Sequence, residues 1–199
     1  MNRKSPLPQP SGRDSRLKQA ICHTLIKATF CGLFACLLLV QIPATHAQGS
    51  GIEQNFSSSL TGVPTEPLTV SGTFYVPVYS SVSMSQGKLR ADFSVTLSVH
   101  NASETRPLVL KRVAYFDTAG KLVESYLKTP IALKPFSTIE VFIAASDLRG
   151  GTGANFVVDW AASGEIAEPA VEALMFGGIG AGHYAFISQG RPVRIVGKN

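Results

Sequence analysis

The residues best equipped for chemistry fall in one stretch, Asp147 to Asn155, which reads Asp-Leu-Arg-Gly-Gly-Thr-Gly-Ala-Asn. Gly150, Gly151 and Gly153 mark backbone that turns tightly or takes positive φ, where a Cβ is penalised. Consecutive amide NH groups in such a turn form an anion-binding nest. Arg149 adds a fork of donors suited to carboxylate or phosphate, with Asp147 and Asn155 bracketing the nest. A small anionic ligand is therefore one chemical reading of this loop. The competing reading, which is favoured, is a bulged turn between strands in which Asp147 caps the loop and pairs with Arg149. A P-loop is excluded, because no Lys-Ser or Lys-Thr follows the glycines.

A second chemical reading draws on residues elsewhere. Asp147, Arg149, Asp159 and His183 would make a loop-built enzyme if folding brought them together, with His183 as acid or base. His183 follows Gly177-Gly178-Ile179-Gly180-Ala181-Gly182, whose spacing is not G-x-G-x-x-G and which leads into a strand where a dinucleotide fold needs a helix. A long hairpin loop is the expectation there. His100 lies on the polar face of a strand and is expected to be solvated. Asp117, Asp147 and Asp159 would hold calcium only if their loops met, which their spacing does not demand. No G-x-S-x-G elbow, H-E-x-x-H pair or calcium loop occurs, and neither a cofactor nor a metal is expected. Asn55-Phe56-Ser57 and Asn101-Ala102-Ser103 match glycosylation sequons.

The elements that position these residues read as strands. Leu89, Ala91, Phe93, Val95, Leu97 and Val99 alternate with polar residues, the period of two of a strand with one face in the core. Leu108 to Phe116 is a second long strand. Asp117-Thr118-Ala119-Gly120 then turns the chain into Lys121 to Leu127, with Asp capping and Gly supplying positive φ. Further strands are expected at Phe136 to Ala144, Phe156 to Ala161, Ala170 to Phe176 and His183 to Ser188. Phe74 to Tyr79 is expected to be an edge strand, because Pro77 lacks a ladder donor. About eight strands with short turns, and no apolar period of 3.6, point to an all-β, antiparallel sandwich of immunoglobulin or fibronectin character. Trp160, the only tryptophan, should anchor its core.

Composition separates a leader from a body. The chain has 199 residues and a net charge of +5, but Arg3, Lys4, Arg13, Arg16, Lys18 and Lys27 stand against Asp14 alone before residue 48. The remainder holds 12 basic and 12 acidic residues, so no basic field is left for nucleic acid. Cys22, Cys31 and Cys36 also precede residue 48, which rules out a disulfide or thiolate metal site in the body. Ala28 to Val40 is apolar, shorter than the about 20 residues of a transmembrane helix, and Ala47 ends a small-residue cleavage pattern. Residues 1–47 thus read as a signal peptide, with membrane contact only through that segment if it stays uncleaved. Residues 48–70, rich in Ser, Gly and Pro, read as a flexible arm, and 71–195 as the sandwich.

Several stretches resemble the uncharacterised bacterial family "domain of unknown function 3124". They are Tyr75-Val76-Pro77-Val78-Tyr79-Ser80, Tyr115-Phe116-Asp117 with Gly120-Lys121-Leu122-Val123, and Asp147 with Arg149-Gly150-Gly151-Thr152-Gly153-Ala154-Asn155-Phe156. Val158-Asp159-Trp160, Glu168-Pro169 and Glu172-Ala173 continue the likeness, which spans roughly residues 70–192. It implies a bacterial envelope protein and carries no activity, ligand or catalytic residue. The resulting expectation is an exported protein of the periplasm or cell envelope. It would act as a non-enzymatic binding or interaction module for an envelope protein or small anionic ligand.

Overall fold

The computed structural model describes residues 51–197; the signal-peptide reading of 1–47 lies outside them. Strict alternation makes β4 (Leu89–His100) the middle of a five-stranded antiparallel sheet. Its even-spaced residues Ala91 to Val99 are buried, and the residues between them face outward. One side of β4 pairs with β10 (Ala170–Ile179), which pairs in turn with β11 (Gly182–Gln189). The other side is shared by β3 (Ser81–Met84) along its first residues and β8 (Thr138–Ile143) along its last.

The second sheet has seven strands. β1 (Leu60–Thr61) pairs with β7 (Ile131–Leu133), β7 with β5 (Leu108–Phe116), and β5 with β9 (Ala154–Ala162). β9 then pairs with β2 (Val70–Val78) and β2 with β12 (Arg191–Val196), while β6 (Leu122–Ser125) forms the hairpin with β5. The two inner faces share one apolar core, including Phe93, Val95 and Leu97 from the first sheet and Phe74, Phe156 and Trp160 from the second. The molecule is an antiparallel β-sandwich. The twelve strands among the described residues include the eight expected ones, most with moved ends, and four others: β1, β3, β7 and β12. Two of these have only two or three residues. The other two, Ser-Val-Ser-Met and Arg-Pro-Val-Arg-Ile-Val, carry too little alternation or too much charge and proline to announce themselves.

Three local expectations need correction. β2 is not an edge strand along its first half, since β12 covers Ser71 to Tyr75; Pro77 is tolerated because β12 ends before reaching it. The long hairpin loop after β10 is a two-residue connection, because β10 runs to Ile179 and β11 begins at Gly182, with Gly180 at φ +57. The arm also differs from a flexible tether. Ile52–Asn55 forms one helical turn (α1) with Ile52 buried, and the Ser59 carbonyl accepts from Lys134 N and Ser137 Oγ. One apolar side chain and a few turn carbonyls suffice to seat it, a signal hidden by the serines around it.

The alternation of β5 breaks at a bulge against β9. Lys111 is the extra residue of β5 between Leu110, opposite Trp160, and Arg112, opposite Asp159. Lys111 and Arg112 are both exposed, so the bulge lets Leu110 and Val113 both face the core. Trp160 is 3% exposed and lies over Gly72, where an added Cβ would stand 2.6 Å from Nε1. Glycine at 72 therefore makes room for the anchor expected of Trp160. Among the described residues no helix is long and apolar enough to cross a membrane.

Candidate functional site

The connection from β8 to β9 carries Asp147, Arg149 and the glycines, and the structure resolves its local chemistry. Asp147 Oδ1 accepts from the Arg149 amide at 3.1 Å and from Arg149 Nε at 2.9 Å, while Arg149 Nη2 reaches Asp147 Oδ2 at 2.8 Å. This is a fork of charge-assisted bonds within a two-residue spacing. The pairing raises the Arg149 pKa above its ordinary value, against a smaller opposing effect of burial. Arg149 Nη1 lies 3.7 Å from Glu124 Oε2 on β6, a residue that the sequence did not single out.

The glycines are held from two sides. Thr118, in the turn between β5 and β6, donates through N and Oγ1 to the Gly150 carbonyl and accepts from the Gly153 amide at 2.9 Å. Ser80, between β2 and β3, donates through N and Oγ to the Gly151 carbonyl, and its own carbonyl accepts from Phe93 N in the opposite sheet. Gly151 takes φ +72 and its amide bonds to the Leu148 carbonyl. Gly150 passes so close over the Tyr115 hydroxyl that a Cβ would overlap it. Loop, hairpin and both sheets are thereby stapled together at one end of the sandwich.

Beneath the loop lies an aromatic floor. Tyr115 and Phe156 have ring centroids 5.1 Å apart, and Tyr126 lies 6.1 Å from Phe156. The Tyr115 hydroxyl is buried and makes no well-formed hydrogen bond, although Ser80 is near enough to counter part of the effect of burial on its pKa. Burial raises the pKa of both tyrosines, and the nearby carboxylates (Glu124 and then Asp147 for Tyr126, Asp147 and Asp117 for Tyr115) push in the same direction. An ionic lid of Asp147, Arg149 and Glu124 thus adjoins two neutral phenols, Tyr115 buried and Tyr126 half-buried.

This arrangement does not favour the anion nest. The amides of Arg149, Gly151 and Gly153 already have acceptors within the protein, and the fork of Arg149 is taken by carboxylates. Two carboxylates surround one guanidinium, so the local charge repels anions. Asn155 stands on β9 opposite Pro77 and Phe116, on the outer face and apart from the ion cluster. The sequence-predicted loop residues Asp147, Arg149, Gly150, Gly151 and Gly153 do come together, but as a braced turn.

The remaining candidates disperse. Asp159 faces outward from the seven-stranded sheet, where it accepts from Thr73 Oγ1 at 2.7 Å and pairs with Arg112 Nε at 2.8 Å. His183 faces outward from the five-stranded sheet, stacked on Phe176 at 6.1 Å. Two sheets, packed about 10 Å apart, lie between them, so they cannot share a proton. Asp117 caps its own hairpin, accepting from the Ala119 and Lys121 amides, with Gly120 at φ +76. Among the described residues, no three of His, Cys, Asp and Glu assemble as a metal group. His100 Nδ1 meets Thr138 Oγ1 at 2.8 Å instead of standing free in water. Asn101 is buried, and its Nδ2 donates to the carbonyls of Arg106, Leu133 and Lys134, which closes that sequon to glycosylation in the folded state.

Sequence reasoning missed Glu124, Tyr126, Tyr115, Thr118 and Ser80. Glu124 had no usable signal: continued from Phe116 opposite Leu122, the hairpin register would set Val123 opposite Tyr115, and a bulge brings Glu124 there instead. Residues 71–193, from β2 into β12, match the family described as "Protein of unknown function (DUF3124)". The chain belongs to this family. Every member of the loop cluster lies within the DUF3124 match, which leaves outside it α1, β1 and the last residues of β12. No curated protein matches the chain. A solved structure, "Crystal Structure of Thermotoga maritima 1070", aligns with 60% of this chain and 92% of that one at 9% identity and a TM-score of 0.37. A likeness at that score supports no inference about this chain.

Proposed function

We propose that this DUF3124 protein is exported to the periplasm or cell envelope and acts there as a non-enzymatic binding module, with the Asp147–Asn155 loop end as its contact surface. The observation that supports the reading is the braced loop. Leu148 projects from it 48% exposed, between the paired Asp147 and Arg149. An apolar side chain held on a turn with little freedom left to lose suits docking, because the entropy of ordering is already spent. The excess carboxylate charge around Arg149 favours a protein surface with cationic or hydrogen-bonding groups over a small anion.

The test is affinity capture from a fractionated bacterial envelope with the tagged full-length chain, its own leader intact. The expected result is a processed protein beginning at Gln48 in the exported fraction, and a partner that Leu148→Asp releases while the melting temperature is unchanged. Retention in the cytoplasm would overturn the compartment. Capture indifferent to both Leu148→Asp and Arg149→Ala would reduce the loop to a structural turn.

A further inference from the structure

The two consecutive strands β11 and β12 each end a sheet, and they guard their edges very differently. β12 carries Arg191, Pro192 and Arg194, and its register with β2 is broken by an irregularity between Pro192 and Arg194. Charge, proline and a bulge are the devices by which sheet edges avoid pairing with other chains. β11 has none of them. It reads Gly-His-Tyr-Ala-Phe-Ile-Ser-Gln, without a formal charge (histidine neutral) or a proline, and pairs with β10 in unbroken register over all eight residues. Among the described residues nothing pairs with its other side.

The faces of β11 are unfinished as well. Tyr184 and Phe186 point to the inner side, Phe186 opposite the fully buried Met175, yet they remain 45% and 36% exposed. Phe186 meets Phe93 and Tyr79 inward, at 5.3 Å and 6.0 Å. On the outer side Ile187 is 57% exposed and ends a row that crosses the sheet as Phe142, Thr96, Leu174 and Ile187. That row, apolar except for Thr96, runs up to the open edge and stops there.

We propose that β11 pairs antiparallel with β11 of a second copy of this chain, joining two five-stranded sheets across a two-fold axis. Charge selects this occupant. Around a two-fold axis each residue meets the same strand again, so a charged edge would oppose its own kind, whereas a neutral strand meets itself without repulsion. The outer apolar row then continues into its symmetry mate, and the inward rings gain a neighbour beyond the edge.

Sedimentation velocity of the purified full chain over a dilution series tests the pairing. The expected result is a reversible dimer. Ile187→Lys and Ala185→Lys, both at outward positions of β11, each weaken it about tenfold or more by placing like charges on both strands of one short pairing. Val193→Lys on β12 leaves it unchanged. A chain monomeric at every concentration overturns the proposal, as does a dimer insensitive to both β11 lysines. Hydrogen exchange of the wild-type chain gives a reading independent of the variants. The outward amides of β11 should be protected at high concentration and exposed on dilution, and concentration-independent exchange excludes the pairing. A monomer whose β11 captures a different protein assigns the edge to another partner and also overturns it.

Discussion

The two glycine-rich connections at the same end of the sandwich look alike in sequence and differ in kind. In the turn from β10 to β11, Gly180 has open space around its Cα and serves only to reverse the chain. In the connection from β8 to β9, Gly150 and Gly151 lie against Tyr115 and Thr118 and are held by bonds from two separate turns. Gly180 is a backbone requirement and Gly150 a packing requirement, although Gly177 of the first run is also crowded, by the Asp92 carbonyl, and Gly151 of the second also needs its φ of +72. A cluster of glycines therefore reports freedom at one place and crowding at another, and only the neighbours tell which.

Substitution by alanine should separate the two most strongly. At Gly150 the φ of −73 suits any residue, so the cost is overlap with the Tyr115 hydroxyl and with the Ala154 Cβ, 2.8 Å from the added carbon. Gly150→Ala is expected to lose about 3 kcal/mol in chemical denaturation, the upper range for overpacking. Tyr115→Phe removes the overlapping hydroxyl, which makes no well-formed bond, and should recover part of that loss in the double variant. Gly180→Ala meets no neighbour and is expected to cost only about 1 kcal/mol, the penalty of a left-handed backbone. Equal losses at the two positions would erase the distinction.

Alkaline unfolding probes the same contrast through protonation. Tyr115 and Tyr126 have pKa values raised above their ordinary value of 10.0, chiefly by burial. The folded state thus favours the neutral phenol. Its contribution is fully present below pH 10 and declines as the unfolded phenols ionise and pH rises toward the folded values. Melting temperature should fall above pH 10, with a shallower fall in Tyr126→Phe. An unchanged slope in that variant would show that Tyr126 is not held neutral by its half-buried position beside the ionic lid.

The smallest effect is expected at the lid itself. Arg149 is 57% exposed, so its pairs are screened by water and salt. Arg149→Ala should shift stability by less than about 1 kcal/mol, with the difference shrinking further at high salt. A larger, salt-independent loss would mean that the guanidinium packs on the phenols as much as it pairs with Asp147.

How far the sequence could be read depended on whether an element's constraint was local. The alternation of β4 and the Asp117–Gly120 hairpin were legible because a half-buried strand and a capped turn write their demands on adjacent residues. The pairing of Asp147 with Arg149 was legible for the same reason, being two residues apart. Edge status was not. Pro77 suggested an edge, but β2 has a neighbour on each side, and what matters is that β12 stops two residues short of it. The anion nest was plausible on composition, but its amides are taken within the protein: Arg149 by Asp147, Gly151 by the Leu148 carbonyl, and Gly153 by Thr118, 35 residues upstream. His183 and Asp159 were candidates for one site only until the sheets placed them on opposite outer faces.

What the sequence determined by itself was the alternation, and with it an all-β sandwich, the short turns, the tryptophan at the core and the absence of a basic field in the body. These follow from periods and compositions that adjacent residues satisfy without reference to distant ones. Tertiary structure alone decided that Glu124 and Tyr126 join Asp147 and Arg149, that Ser80 and Thr118 lock the glycines, and that β11 is left an open edge. Each depends on which strand lies next to which. Pairing between strands far apart in the chain is chosen by the burial of whole faces, a property that no single stretch of residues carries.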